Sequence, residues 1–102
     1  MAAMAHPVTL GDAQAARDAY VATLRELVEL ESPTSDKRAV DALGAHLEKV
    51  LAAKGWSVSK HPREAVGDVL EATRGGAGGP STLLLTHMDT VWPLGTLEGM
   101  PA

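Results

Sequence analysis

The sequence predicts an α/β fold, two helices followed by three strands, and three observations carry that reading. Apolar residues recur at helical spacing in two stretches before Gly55. They alternate with polar residues just after it, and then run unbroken through Leu83-Leu84-Leu85. The chain has 102 residues, of which 45% are apolar, enough for one small packed domain and too many for global disorder. Two Trp, one Tyr and no Phe leave Leu, Val and Ala to build the core.

Residues 1–10 read as a loose terminus. From Asp12, a candidate N-cap, Tyr20, Leu24, Leu27 and Val28 fall on one helix face, while Arg17, Asp18, Arg25 and Glu29 occupy the wet side. Ser32-Pro33-Thr34-Ser35 ends this helix, because a proline disfavours helical geometry at the residue before it. Ser35 then caps a second helix with Asp36 in its first turn and an apolar stripe of Val40, Leu43, Leu47, Val50 and Leu51. Lys49 and Lys54 suit its C-terminal dipole, and Gly55 suits the residue past its end.

Trp56, Val58 and Lys60 alternating with Ser57, Ser59 and His61 predict a half-exposed strand that Pro62 ends. A turn through Arg63-Glu64-Ala65 leads to its hairpin partner within Gly67–Arg74. Gly75 to Pro80 is a flexible connection without the Gly-Lys-Ser/Thr ending of a phosphate loop. Thr82–Thr86 is the third strand, of the kind buried on both faces.

A formal net charge of −4 and no basic stripe argue against a nucleic-acid partner. Without cysteine there is neither a disulfide framework nor a thiolate metal site. The opening Met1-Ala2-Ala3-Met4-Ala5-His6-Pro7 lacks the charged and apolar regions of a signal peptide, and no stretch is long enough to span a bilayer. A cytoplasmic protein without membrane partners is the expectation.

Chemistry is expected at the C-terminal end of the third strand, where His87 and Asp89 lie. Imidazole ligates zinc through one nitrogen while its other N–H needs an acceptor, and a carboxylate two residues on can supply it. Spacing alone is a weak signal, since a single histidine at a strand end is more often structural. His6 lies in the terminus, and His46 and His61 read as surface residues. Glu29, Glu31, Asp36, Asp41 and Glu48 read as solvated charge. Trp92 suits a pocket rim or simple packing equally.

The wider context adds a resemblance. Leu83-Leu84-Leu85-Thr86-His87-Met88-Asp89-Thr90-Val91, followed by Trp92-Pro93-Leu94-Gly95, resembles the first metal motif of the zinc peptidases related to glutamate carboxypeptidase. That family includes aminoacylases, acetylornithine deacetylase and succinyl-diaminopimelate desuccinylase. Leu27-Val28-Glu29-Leu30-Glu31-Ser32-Pro33 resembles its opening helix and Ser/Pro loop, and Leu47 through Trp56 its second helix, so the likeness runs over residues 20 to 100. The resemblance implies that His87 ligates one Zn2+ and that Asp89 is a catalytic residue orienting the imidazole without binding metal. It implies two Zn2+ per complete site and hydrolysis of an amide next to a free carboxylate by metal-activated water, with a small peptide or N-acyl amino acid as substrate. It also implies a mixed-sheet catalytic domain in which a later strand inserts between this chain's second and third, leaving Thr82–Thr86 with open, aggregation-prone edges.

The family pattern continues with a metal-bridging aspartate in a Gly-x-x-Asp-x-Lys-Gly context, a Glu-Glu pair, a further carboxylate and a second histidine. None occurs in these 102 residues. Residues 1–102 are therefore expected to be the first part of such a catalytic domain, without its lid and dimerisation domain, inactive alone and without tight zinc binding. A non-catalytic α/β binding module derived from that fold is the alternative. An unrelated metallohydrolase using His-x-Asp is a third reading.

Overall fold

A computed structural model describes residues 7–102, in the order α1 (Leu10–Glu29), α2 (Lys37–Ala53), β1 (Ser57–His61), β2 (Val69–Thr73) and a one-turn α3 (Thr96–Gly99). The fold is mixed α/β, with two strands in place of the three expected. Expectations for residues 1–6, including His6, lie outside the described residues.

Helix α1 starts earlier than the sequence reading placed it. Thr9 is the N-cap: its hydroxyl accepts from the Asp12 N–H at 3.2 Å, while the Asp12 carboxylate accepts from the Thr9 N–H at 2.9 Å. Asp12 is thus the third helical residue of a capping box, and residues 7–9 lead directly into the helix. Such a cap contributes on the order of 1 kcal/mol. The helix leaves its geometry at Leu30, three residues ahead of Pro33. Its apolar face is largely uncovered: Tyr20, Leu24 and Val28 remain exposed.

Asp36, not Ser35, caps α2, accepting from the Ala39 N–H at 3.0 Å. At the other end Gly55 takes φ +90, a left-handed conformation that glycine adopts without steric cost. This lets the Gly55 N–H reach the Ala52 carbonyl and the Trp56 N–H reach that of Leu51, closing a Schellman motif. The stripe expected on α2 does build the core. Val40 and Leu43, each 4% exposed, are the only buried large apolar side chains among the described residues.

β1 and β2 form an antiparallel hairpin with Val58 opposite Ala72 and Lys60 opposite Leu70. Val58, Leu70 and Ala72 are half-buried, and Lys60 pairs with Glu48 of α2 at 3.0 Å, so this face lies toward the helix. The loop entering β2 is fastened to α2 by charge. Lys37 Nζ donates to Asp41 and Asp68, each at 2.8 Å, and Asp41 accepts from the Asp68 N–H at 2.8 Å. Asp68 also accepts from the Arg63 N–H at 2.9 Å. The approach is close: a Cβ on Gly67 would stand 2.3 Å from Val40 Cγ1.

Thr82–Thr86 is not a strand. Leu83, Leu84 and Leu85 are 83%, 83% and 90% exposed, and their backbone enters no ladder. The pattern identified a segment apolar on both faces, but a strand of that kind needs neighbours on both edges. The β1–β2 hairpin provides neither. The radius of gyration is 16.3 Å, against about 13 Å for a compact domain of this length.

Two predictions follow from the α2–hairpin junction. Gly67→Ala should destabilise the chain by about 1–3 kcal/mol in urea unfolding, since the new methyl group must displace backbone or Val40. The second concerns pH. Lys37 holds the Asp41 and Asp68 carboxyls below their ordinary value, with backbone N–H groups adding to the effect. Their contribution is present above that ordinary value and is lost as pH falls through the lower folded values. The two aspartates raise Lys37, whose contribution is complete below the ordinary lysine value and is lost as pH rises through the raised one. Lys37→Met should flatten both limbs of the urea midpoint plotted against pH.

Candidate functional site

The two residues singled out from the sequence lie just beyond the exposed leucine run, on a segment anchored from the side. Its anchor is the stretch between α1 and α2. Thr90 and Pro33 form an isolated parallel bridge: the Thr90 N–H donates to the Ser32 carbonyl at 2.8 Å, and the Thr34 N–H donates to the Thr90 carbonyl at 2.9 Å. The Ser32 hydroxyl donates to the Met88 carbonyl at 3.0 Å, and Ser32 is 1% exposed with its polar groups satisfied. Met88 lies against α2 where Gly44 leaves room, its Cε 3.5 Å from the position a Cβ would take there. On either side of Met88, His87 is exposed and Asp89 is half-buried.

His87 is exposed, and both contacts recorded for its ring are to Asp89. Nδ1 lies 3.0 Å from the Asp89 carbonyl oxygen and 3.3 Å from Oδ1. A proton on Nδ1 is donated to the carbonyl, with the carboxylate oxygen beside it, and leaves the lone pair on Nε2 open. The Asp89 carboxylate accepts the Thr34 hydroxyl through Oδ2 at 2.7 Å. That bond does most to hold its carboxyl below the ordinary aspartate value, against the effect of partial burial. A shallow cleft lined by Pro33, Thr34, Ser35, Thr90, Val91 and Pro93 opens beside this arrangement. Trp92 is not among its lining residues and is exposed.

The described residues do not fit a zinc centre by themselves. His87 offers one imidazole nitrogen, and no three His, Cys, Asp or Glu side chains are grouped to hold a metal. A catalytic zinc needs about three protein ligands. His46 Nε2 instead lies 3.3 Å from Glu26 Oε2 between the two long helices, and His61 Nε2 is 3.8 Å from Glu71 across the hairpin.

Several acidic residues expected to be merely solvated have specific partners. Asp36 is a helix cap, Asp41 belongs to the Lys37 cluster, and Glu48 pairs with Lys60. Glu31 accepts from the Gly95 N–H at 2.9 Å and the Leu97 N–H at 3.2 Å, satisfying the otherwise open start of α3. Sequence reasoning gave Glu31 only as solvated charge and Ser32 and Thr34 only as part of the segment that ends the first helix. Their clustering at the Ser/Pro loop was the available signal, and the missing information was which distant backbone they meet. Glu31→Ala should abolish hydrogen-exchange protection of the Gly95 and Leu97 amides while leaving that of Val40 and Leu43 in place.

No helix among the described residues is long and apolar enough to cross a membrane. No family model matches the chain. The chain is similar to carboxypeptidase G2 of Pseudomonas sp. (strain RS-16), at 40% identity over 93 residues. The match covers 86% of this chain and 22% of that protein, so the chain spans about a fifth of its relative's length. A likeness of this strength supports a relationship to a carboxypeptidase.

Proposed function

We propose that these residues form the first part of the catalytic domain of a zinc-dependent amide-bond hydrolase, with His87 supplying one zinc ligand and Asp89 orienting it. The observation that carries this reading is the pairing of His87 Nδ1 with Asp89, which leaves Nε2 open, in a chain 40% identical to a carboxypeptidase. Histidine ligands characteristically donate their second N–H to a carboxylate or carbonyl, which sets the tautomer and the ring orientation. Asp89 presents both kinds of acceptor to the same nitrogen. The substrate class is a short peptide or N-acyl amino acid whose scissile amide neighbours a free carboxylate. The remaining ligands and the general base come from residues outside this sequence, as does any dimerising surface. Neither nucleic acid nor membrane has a part in this reading.

The 102 residues alone should hold less than one equivalent of Zn2+ after dialysis and hydrolyse no N-acyl amino acid. Stoichiometric binding that survives dialysis and is lost in His87→Ala would show that the site is complete within this chain. The coding sequence beyond Ala102 separates the two main readings. A continuation carrying the Gly-x-x-Asp-x-Lys-Gly, Glu-Glu and histidine motifs, whose product contains two Zn2+ and releases C-terminal amino acids, is the expected result. A natural stop at that point, with a stable monomeric product, would favour the non-catalytic module.

A further inference from the structure

We propose that Thr34 is the positioning residue of the His87–Asp89 pair: its hydroxyl holds the Asp89 carboxylate with one oxygen turned toward the imidazole. The significance of this role rests on the reading just given. Its test does not.

The geometry divides the carboxylate between two partners. Oδ2 accepts the Thr34 hydroxyl at 2.7 Å, and Oδ1 stands 3.3 Å from His87 Nδ1. The hydroxyl has one proton and two acceptors in reach, Asp89 Oδ2 and the Thr90 carbonyl at 3.1 Å. The carboxylate is both nearer and charged, and the Thr90 carbonyl already receives the Thr34 N–H. The proton therefore goes to Asp89.

Thr34 is also unable to follow a wandering carboxylate. Its own N–H is bound to Thr90, and the residues before it are fastened to Met88 and Thr90 through Ser32. The hydroxyl therefore meets Asp89 from a backbone position that is itself fastened. His87 has no such anchor of its own. Its side chain is exposed, and both ring contacts go to Asp89. An exposed imidazole in water favours the Nε2–H tautomer, the one unable to ligate through Nε2. The Asp89 carbonyl accepts from Nδ1–H directly, and Thr34 holds the charged second acceptor, Oδ1, beside it.

The test reads the tautomer directly in the metal-free 102-residue chain. At alkaline pH, where imidazole is neutral, the nitrogen chemical shifts of His87 report which ring atom carries the proton. The wild-type chain should show Nδ1 protonated and Nε2 bare. Thr34→Val should shift the population toward Nε2–H, and Thr34→Ser, which retains the hydroxyl, should restore the wild-type shifts. A merely structural role for Thr34 would change amide spectra or stability without moving the tautomer. Thr34→Val with wild-type nitrogen shifts and an intact amide spectrum would overturn the proposal, as would an Nε2–H majority in the wild-type chain. Should Thr34→Val not fold, Asp89→Asn decides: an unchanged tautomer there would show that the carboxylate does not set it. Because no metal or substrate enters the measurement, failure of the hydrolase reading would leave this result standing. A wild-type tautomer in Thr34→Val would likewise leave zinc binding in a longer product to be judged separately.

Discussion

The short ladder between Ser32–Thr34 and Met88–Thr90 is the constraint on which the rest of the candidate site depends. It joins segments more than fifty residues apart through two backbone hydrogen bonds, the Ser32 hydroxyl and the Thr34 hydroxyl. Each bond alone is worth roughly 1 kcal/mol net. Their joint effect is geometric: the segment carrying His87 and Asp89 has no regular secondary structure of its own, yet its backbone is held at Met88 and Thr90. Glu31 extends the same contact to α3 from the preceding residue. A single stretch between two helices thereby holds Met88, Asp89, Thr90, Gly95 and Leu97.

Much of the fold was legible because its signals are local. The α2 stripe, the glycine that ends that helix, the period-two strand up to Pro62 and its hairpin partner all depend on neighbours within a few residues. The helix starts were displaced by one to three residues. Thr9 and Asp36 differ from Asp12 and Ser35 only in which side-chain oxygen meets which backbone N–H. The third strand was different in kind. Leu83-Leu84-Leu85 describes what the segment needs from its surroundings, and no local pattern states whether those surroundings are present. Exposed leucines here and an uncovered α1 face are two of the places, among the described residues, where apolar surface exceeds what the chain's own residues bury.

The site divides along the same line. His87 and Asp89 could be singled out because their separation and their place after an apolar run are visible in the sequence. Thr34 could not, since its importance comes from a contact across 55 positions. The acidic residues make the point from the other side. Glu31 and Asp41 look like any surface carboxylates in one dimension, and each accepts hydrogen bonds from a distant segment. Composition reports that a charge is present. Only packing reports what it holds.

Met88, the middle residue of the motif, seats its thioether end over Gly44 of α2 and lies near Leu70 of the hairpin. A half-buried side chain seated on the helix between His87 and Asp89 resists rolling of that backbone about its own axis. The bearing of the imidazole is thus set in part by a glycine on a helix that never touches it. A methyl group at position 44 would only touch Met88 and Leu70 at ordinary contact distance, whereas a longer side chain would have to displace the thioether end and, through it, the segment that carries His87 and Asp89.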